Sequence, residues 1–175
     1  MMKLWQTFIS AAKRLLFRQG MTIPEGIKPV ESFDSRRYLG RWYEIARFDH
    51  RFERGLTQVT ATYLDGEKEH IQVVNRGFNE KKQRWQESRG KARFINDTDQ
   101  AALEVSFFGP FYAGYNVIAL DDDYQYALVC GPNRRFLWLL ARTAHPRKEN
   151  IDFLLHQAQR LNFDISKLIW VSDRP

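Results

Sequence analysis

The hydrophobic pattern changes period along the chain. Between residues 40 and 142, apolar and polar positions alternate in short runs, which is typical of half-buried β-strands. Turn residues such as Asp65-Gly66 separate the runs. After Arg142, the apolar residues Ile151, Leu154 and Leu161 fall at helical spacing. The pattern therefore predicts a succession of strands followed by one amphipathic helix.

The strands are predicted at residues 42–48, 57–64, 71–78, 84–95, 101–107, 111–120, 124–130 and 135–142, with a last short strand at 168–171. Gly90, inside the fourth run, predicts a bend or a bulge. An up-and-down sheet of this kind exposes two edges unless it closes on itself. The predicted fold class is therefore mainly β: an eight-stranded antiparallel up-and-down barrel with the C-terminal α-helix packed on its outside.

Three segments are predicted: residues 1–20, a linker at 21–33 and a barrel domain at 34–173. The linker is predicted because Pro24, Gly26 and Pro29 disfavour regular structure. In residues 1–20, apolar side chains recur at helical spacing beside Lys3, Lys13, Arg14 and Arg18. This pattern favours a basic amphipathic helix that lies on an anionic membrane surface.

Two other interpretations of residues 1–20 stay open. A degenerate export signal is one, although the apolar run is short and Lys13-Arg14 follows it immediately. Translation from Met21 is the other. A lipoprotein signal needs a cysteine to carry the lipid, and the chain has a single cysteine, Cys130.

Composition narrows the function classes. The net charge is +6, but four of these charges lie in the first 20 residues, so the remainder is not a basic domain and no nucleic-acid partner is expected. One cysteine excludes a disulfide framework within the chain. The four histidines lack metal-ligand spacing, so no metal and no cofactor are predicted.

Three short motifs lie in order along the predicted barrel. Gly40-Arg41-Trp42 precedes and begins the first strand, Asp121-Asp122-Asp123-Tyr124 follows the sixth, and Leu140-Ala141-Arg142 ends the eighth. Together they resemble the three motifs of the lipocalin family. The stretches 42–56, 105–120 and 127–143 are similar to bacterial lipocalins of the outer-membrane lipoprotein type, and the resemblance runs from about residue 33 to 171.

The resemblance implies structural roles for Gly40, Trp42, Asp123, Tyr124 and Arg142. Lipocalins place the arginine over the tryptophan ring, a cation–π contact, at the closed end of the barrel. The other end is then open. The resemblance places Asp49-His50 in the loop at this open end, and the pair is therefore interpreted as part of a gate rather than as an acid–base pair. No catalytic residue is predicted.

The inner wall is predicted by alternation from Trp42 and along the other strands. The ligand-binding residues predicted in this way are Glu44, Ala46, Phe48, Val59, Ala61, Tyr63, Val105, Phe107, Tyr115, Tyr126 and Trp138. A mostly apolar, aromatic wall suits acyl chains. The same side chains also suit a barrel that they simply fill.

With the resemblance, these observations predict a carrier and not an enzyme. The expected ligand is a fatty acid or a lysophospholipid, stored or transported in maintenance of bacterial membrane lipid. A surface interaction module with a filled barrel and a lipid-modifying enzyme are the alternatives. By resemblance the expected compartment is the cell envelope, at the outer membrane or in the periplasm, and the alternative is the cytoplasm. The expected state is a monomer or a homodimer.

Overall fold

A computed structural model of the chain describes residues 23–66, 70–95 and 97–171. Within these ranges one antiparallel sheet contains the strands β1 (Gly40–Phe48), β2 (Leu56–Asp65), β3 (Ile71–Asn79), β4 (Arg84–Phe94), β5 (Ala102–Phe108), β6 (Phe111–Leu120), β7 (Tyr126–Cys130), β8 (Leu137–Ala141) and β9 (Leu168–Trp170). The helices are α1 (Ser35–Tyr38), α2 (Lys148–Arg160) and a 3₁₀ turn (Ile165–Lys167).

The sheet closes into a barrel through β1. This strand pairs with β2, Gly40 opposite Tyr63, and with β8, Tyr43 opposite Ala141. Each of the first eight strands pairs with its neighbour in sequence, so closure leaves no long open edge. The short strand β9 pairs with the end of β1. Helix α2 packs on the outside against β7, so the predicted fold class is confirmed.

Two clusters of buried side chains lie on opposite sides of the barrel wall. The inner cluster lies inside the barrel and includes Trp42, Leu103, Val117, Val129 and Leu140. The outer cluster lies between the wall and α2, and it includes Ile45, Leu128, Cys130, Leu137, Leu139, Ile151, Leu154 and Ala158. The wall formed by β1, β7 and β8 is therefore buried on both faces.

Antiparallel pairing places alternate turns at the same end of the barrel. We call one end the mouth: it consists of residues 49–55, 80–83, 109–110 and 131–136, which join β1 to β2, β3 to β4, β5 to β6 and β7 to β8. The other end, which holds α1 and the β6–β7 turn at residues 121–125, is the closed end.

The segment predicted as a linker packs along the barrel, from Gly26 beside Arg134 of the β7–β8 turn to Val30 and Phe33. The Val30 N–H donates to the Val117 carbonyl over 2.9 Å, and the Val30 carbonyl accepts from the Ala101 N–H over 2.8 Å. Ile27 and Phe33 are buried. Residues 23–33 contain no helix or strand, yet their backbone bonds and apolar side chains hold them against the barrel. The predictions for residues 1–20 lie outside the described residues.

Gly90 is not a bulge. The β3–β4 register continues through Val73 opposite Gly90 without a shift. A Cβ atom at this position would lie 2.6 Å from the Ser106 carbonyl oxygen and 2.8 Å from the Phe107 ring. Glycine is needed here because β5 approaches the backbone closely.

Candidate functional site

The barrel interior has a largely apolar wall. Leu103, Val117 and Val129 form its buried part. Five further side chains of the same interior wall stay partly exposed, although they point away from the outer surface: Ala61, Val105, Phe107, Tyr115 and Trp138. Their partial exposure distinguishes them from the fully buried part of the wall.

Most of the predicted lining residues face this interior. Ala61, Tyr63, Val105, Phe107, Tyr115 and Trp138 all contact the inner cluster. Glu44 is buried beside Arg47, in a polar group described below. Val59, on β2, is buried and lies beside Gly77 of β3: a Cβ atom added at Gly77 would lie 3.2 Å from it. Val59 is a member of neither large cluster.

The structure corrects the prediction for Ala46 and Phe48. Both belong to the outer cluster, and the Phe48 ring lies 6.2 Å from the Phe163 ring. The cause is a β-bulge, because the register against β8 shifts between Glu44 and Ala46. One extra residue reverses the facing of every later side chain in the strand. Arg47 consequently points inward, where alternation predicted an outward side chain.

Tyr126 is also corrected. It packs against the outer cluster together with Leu128 and Cys130, which lie on the same face of β7. The inward residues of this strand are Ala127 and Val129. Tyr126 therefore lies outside the barrel, whereas Tyr63 lies inside and pairs with Gly40 near the closed end.

The closed end is sealed by Trp42, which is fully buried. Its indole N–H donates to the Tyr38 carbonyl over 2.9 Å, and the Arg142 guanidinium carbon lies 4.0 Å from its ring centroid. Arg142 Nη2 donates to the Arg37 carbonyl over 2.8 Å. Gly40 has φ +98°, and a Cβ atom there would lie 3.1 Å from Arg142 Nη1. The geometry is that of a structural plug.

The β6–β7 turn joins α1 to the barrel. The Tyr124 hydroxyl accepts a hydrogen bond from the Asp34 N–H over 2.9 Å. The turn itself is fastened by Asp121, whose Oδ1 accepts from the N–H groups of Gln125 and Tyr126 over 2.7 and 2.6 Å. Asp123, the predicted motif residue, contributes its backbone carbonyl, which accepts from Gln125 Nε2 over 3.0 Å.

Three tyrosine hydroxyls meet inside the barrel. Tyr63 donates to the Tyr115 hydroxyl over 2.7 Å, and the Tyr38 and Tyr115 hydroxyls lie 2.8 Å apart. Burial raises the pKa of all three phenols above the usual value, so they stay protonated at neutral pH. The three hydroxyl groups carry three protons but form only two hydrogen bonds with one another. One proton is therefore left to bond an acceptor elsewhere.

A buried polar group lies in the interior towards the mouth. Arg47 Nη1 donates to Glu44 Oε1 over 2.9 Å, and Arg47 Nη2 donates to the Glu53 carbonyl over 2.7 Å. The Trp138 indole donates to Glu53 Oε2 over 3.1 Å, and His50 Nε2 lies 3.0 Å from the same oxygen. Glu53 and His50 come from the β1–β2 turn, so this turn folds inward over the barrel.

The two carboxyl groups of this polar group differ in pKa. Burial, followed by the charge of Glu53, raises the pKa of Glu44 well above its usual value, despite the opposing effect of Arg47. Burial alone would raise the pKa of Glu53 as well, but His50, the Trp138 indole and Arg47 together hold it below the usual value. Glu44 is therefore the carboxyl group that takes up a proton first.

Sequence reasoning missed Tyr38, Arg47 and Glu53 as interior residues, and it treated His50 only as part of a gate. The available signal was the run from Trp42 to Phe48, where charged residues interrupt an otherwise apolar strand. Charged side chains in such a run need partners when buried.

Other candidate chemistry is limited in the described residues. Within the ranges 23–66, 70–95 and 97–171, no three His, Cys, Asp or Glu side chains are grouped so as to hold a metal ion. Cys130 belongs to the outer cluster, and burial raises the pKa of its thiol to about 12. A thiol with this pKa is a poor nucleophile at neutral pH.

Sequence comparison identifies relatives over most of the chain. A family model described as a lipocalin-like domain matches residues 33–173. The chain is 53% identical to the outer membrane lipoprotein Blc of Citrobacter freundii, over 93% of this chain and 92% of that protein. It is 56% identical to the outer membrane lipoprotein Blc of Escherichia coli K12, over 86% and 85% respectively.

Structure comparison agrees with the fold. Insecticyanin from the tobacco hornworm Manduca sexta superposes with a TM-score of 0.70, at 22% identity, over 89% of this chain and 88% of that one. The sequence relatives therefore extend the resemblance seen in the three motifs, and the closed barrel supplies the matching architecture. The chain belongs to the lipocalin family.

Proposed function

We propose that this protein binds fatty acids or lysophospholipids in its barrel and stores or transports them for the maintenance of membrane lipid. Lipocalin barrels are just wide enough to hold one small ligand, and family membership supports a small hydrophobic one. The observation that carries the proposal is the partly exposed apolar lining inside a closed wall. Acyl chains match that lining because they need burial and no hydrogen bonds.

The polar group at the mouth supports a ligand with one polar end. Among the described residues, Arg47 Nε and His50 Nδ1 are buried without a hydrogen-bond partner. A buried N–H donor such as Arg47 Nε is costly unless an acceptor reaches it. A carboxylate or phosphate oxygen of a lipid head is such an acceptor, and its acyl chain would then extend towards Val117 and Val129.

Lipid extraction tests the proposal directly. Solvent extraction of the purified protein followed by mass spectrometry should recover a fatty acid or a lysophospholipid. Ala61→Phe narrows the interior and should reduce the recovered lipid. Thr62→Phe adds the same ring at the neighbouring position, on the opposite face of β2, and serves as the matched control. Absence of any bound or added lipid would favour a filled barrel, and a chemically altered lipid would favour a lipid-modifying enzyme.

We propose the cell envelope as the compartment. The bacterial relatives that match at about half identity are named outer membrane lipoproteins, which supports this location and gives no support to the cytoplasmic alternative. In the described part of the chain, no helix is both long and apolar enough to cross a bilayer. Fractionation of cells that produce the full chain, with detection in the membrane and soluble fractions, tests the location.

Residues 1–20 are proposed to bind an anionic membrane surface. Their four basic residues and one apolar stripe support this proposal. Each cation near an anionic surface contributes about 1 kcal/mol. Sedimentation with anionic vesicles should therefore be stronger for the full chain than for a chain that starts at Met21, and equal sedimentation would contradict the proposal.

A further inference from the structure

Aromatic side chains are exposed around the mouth. Among the described residues, six large hydrophobic side chains are strongly exposed, and three of these are aromatic residues at mouth turns: Phe52 at 47%, Trp85 at 45% and Phe108 at 42%. Phe52 lies in the β1–β2 turn, Trp85 is the second residue of β4, and Phe108 ends β5. Single exposed apolar residues are ordinary, but a set around one opening marks an interaction surface.

Basic side chains surround the same opening. The exposed cations at or beside the mouth turns are Arg51, Arg54, Lys81, Lys82, Arg84 and Arg135. The exposed acids there are Asp49, which pairs with Arg54, and Glu80. The Arg76 guanidinium lies 4.3 Å from the centroid of the Trp85 ring, on the outer face of the barrel. The mouth is therefore positively charged as well as aromatic.

The closed end has the opposite balance. Its turns carry the carboxylates Asp65, Asp97, Asp99, Asp121, Asp122 and Asp123. Among the described residues, Arg36, Arg37, Arg41 and Arg142 lie at the same end and offset only part of this charge. The barrel consequently has a charge difference along its axis, with the positive end at the opening.

We propose that the mouth of the barrel docks on an anionic lipid bilayer, with Phe52, Trp85 and Phe108 entering the interfacial region and the basic residues facing the head groups. Tryptophan favours this region because its ring is largely apolar and carries one polar N–H group, and phenylalanine enters it as an apolar anchor. The cations complement anionic lipid, and the charge difference along the axis orients the opening towards the membrane. The docking goes beyond ligand binding and does not depend on which lipid the barrel holds.

Vesicle binding by the full chain tests the charge component. Vesicles of equimolar phosphatidylglycerol and phosphatidylcholine should bind the protein more tightly than vesicles of phosphatidylcholine alone. Removal of one cation near such a surface costs about fivefold in affinity, so Lys81→Glu/Lys82→Glu should lose at least about 25-fold. The matched control, Arg36→Glu/Arg147→Glu, makes the same charge change away from the mouth and should lose much less. Equal losses for the two pairs would overturn the proposed orientation.

The aromatic component has its own matched pair. Phe108 at the mouth and Phe153 on α2 are 42% and 41% exposed, so Phe108→Ser and Phe153→Ser delete the same ring at the same exposure. Phe108→Ser should weaken vesicle binding severalfold, and Phe153→Ser should leave it unchanged. Phosphatidylcholine brominated on its acyl chains should quench Trp85 in a Trp5→Phe full chain, and Trp85→Phe should remove that quenching.

Two controls distinguish docking by the mouth from membrane binding by residues 1–20 and from fatty-acid binding in the barrel. Every variant retains residues 1–20, so binding through that segment alone would leave all mouth variants unchanged and would overturn the docking proposal. Fatty-acid binding measured without vesicles reports on the proposed function. If Phe108→Ser binds fatty acid normally but no longer binds vesicles as tightly, the docking surface is supported. If vesicle binding is insensitive to the mouth while fatty acid still binds, docking alone fails.

Discussion

The Arg142 guanidinium carbon lies 4.0 Å from the centroid of the Trp42 ring, and the two residues come from the opposite ends of the barrel sequence. Arg142 also donates to the carbonyls of Arg37, Arg41 and Tyr124. One side chain thus stacks on the plug and bonds both α1 and the β6–β7 turn. The arrangement holds the N-terminal and C-terminal strands together at the closed end.

Replacing Arg142 with alanine should lower the free energy of unfolding by about 1–4 kcal/mol, because stacking is lost and carbonyls lose their donors. Arg142→Lys keeps the charge but not the planar fork, and it should recover only part of the loss. Urea denaturation measures both effects. Fatty-acid affinity of the folded Arg142→Ala protein should change little, so a normal unfolding curve with abolished binding would reverse the structural assignment.

Trp138 should report on ligand entry. Its ring belongs to the inner cluster and its indole bonds Glu53, so a bound acyl chain changes its surroundings. Titration with an unlabelled fatty acid should alter tryptophan fluorescence, and Trp138→Phe should remove most of this change. Trp85→Phe is the control because Trp85 is exposed outside the barrel. A full response in Trp138→Phe would place the ligand away from this wall.

Glu44 should give stability a distinct pH dependence. Its pKa in the folded protein is raised, so its protonated form favours the folded state below the unfolded pKa of about 4.3. This contribution is lost as pH rises through the raised folded pKa. Glu44→Gln does not titrate, so its free energy of unfolding relative to the unchanged protein should rise with pH in that window. Chemical denaturation at a series of pH values measures how this difference in free energy changes with pH. The loss of the Arg47 contact shifts the difference by a constant amount and does not alter its slope.

Glu53 provides a test of opposite sign. Its pKa is lowered, so it stabilises the folded protein above the unfolded pKa, and this contribution is lost as pH falls through the folded pKa. The free energy of unfolding of Glu53→Gln, relative to the unchanged protein, should therefore fall as pH rises. Slopes of the same sign for the two variants would contradict the assignment of the proton to Glu44.

Gly90 should resist enlargement. An added methyl group would lie 2.6 Å from the Ser106 carbonyl oxygen, so Gly90→Ala forces β4 and β5 apart and should cost about 1–3 kcal/mol in stability. Gly109→Ala is the control, since no atom lies within 4 Å of its added Cβ. Its effect should stay within about 0.5 kcal/mol. Thermal unfolding of the two variants compares them, and similar losses would show that the close approach is not the cause.

The fold was predictable from the sequence because most strands show alternation or clear turn residues between them. Three lining residues were assigned to the wrong face: Ala46 and Phe48 after the bulge in β1, and Tyr126 in β7, where that signal is absent. β1 and β7 are buried on both faces, against the interior and against α2, so apolar residues occupy inward and outward positions alike. The apolar pattern then does not show which alternate residues face the interior, and Tyr126 is assigned to the wrong face.

The polar group of the interior was harder still to predict. It depends on a bulge between Glu44 and Ala46, which turns Arg47 inward, and on a turn that brings His50 and Glu53 back over the barrel. No residue type at positions 44–46 indicates in the sequence that one extra residue is inserted there. The partners of a buried charge depend on this long-range placement, and no local pattern specifies it.

Closure through β1 and β8 has a consequence for how the chain is made. Tyr43 cannot meet Ala141 until nearly all of the barrel sequence has been synthesised. At roughly 5–20 residues per second, the first strand waits about 5–20 seconds for its second neighbour. Until β8 is available, that edge of β1 is unpaired, and an unpaired edge can pair with a strand of another chain.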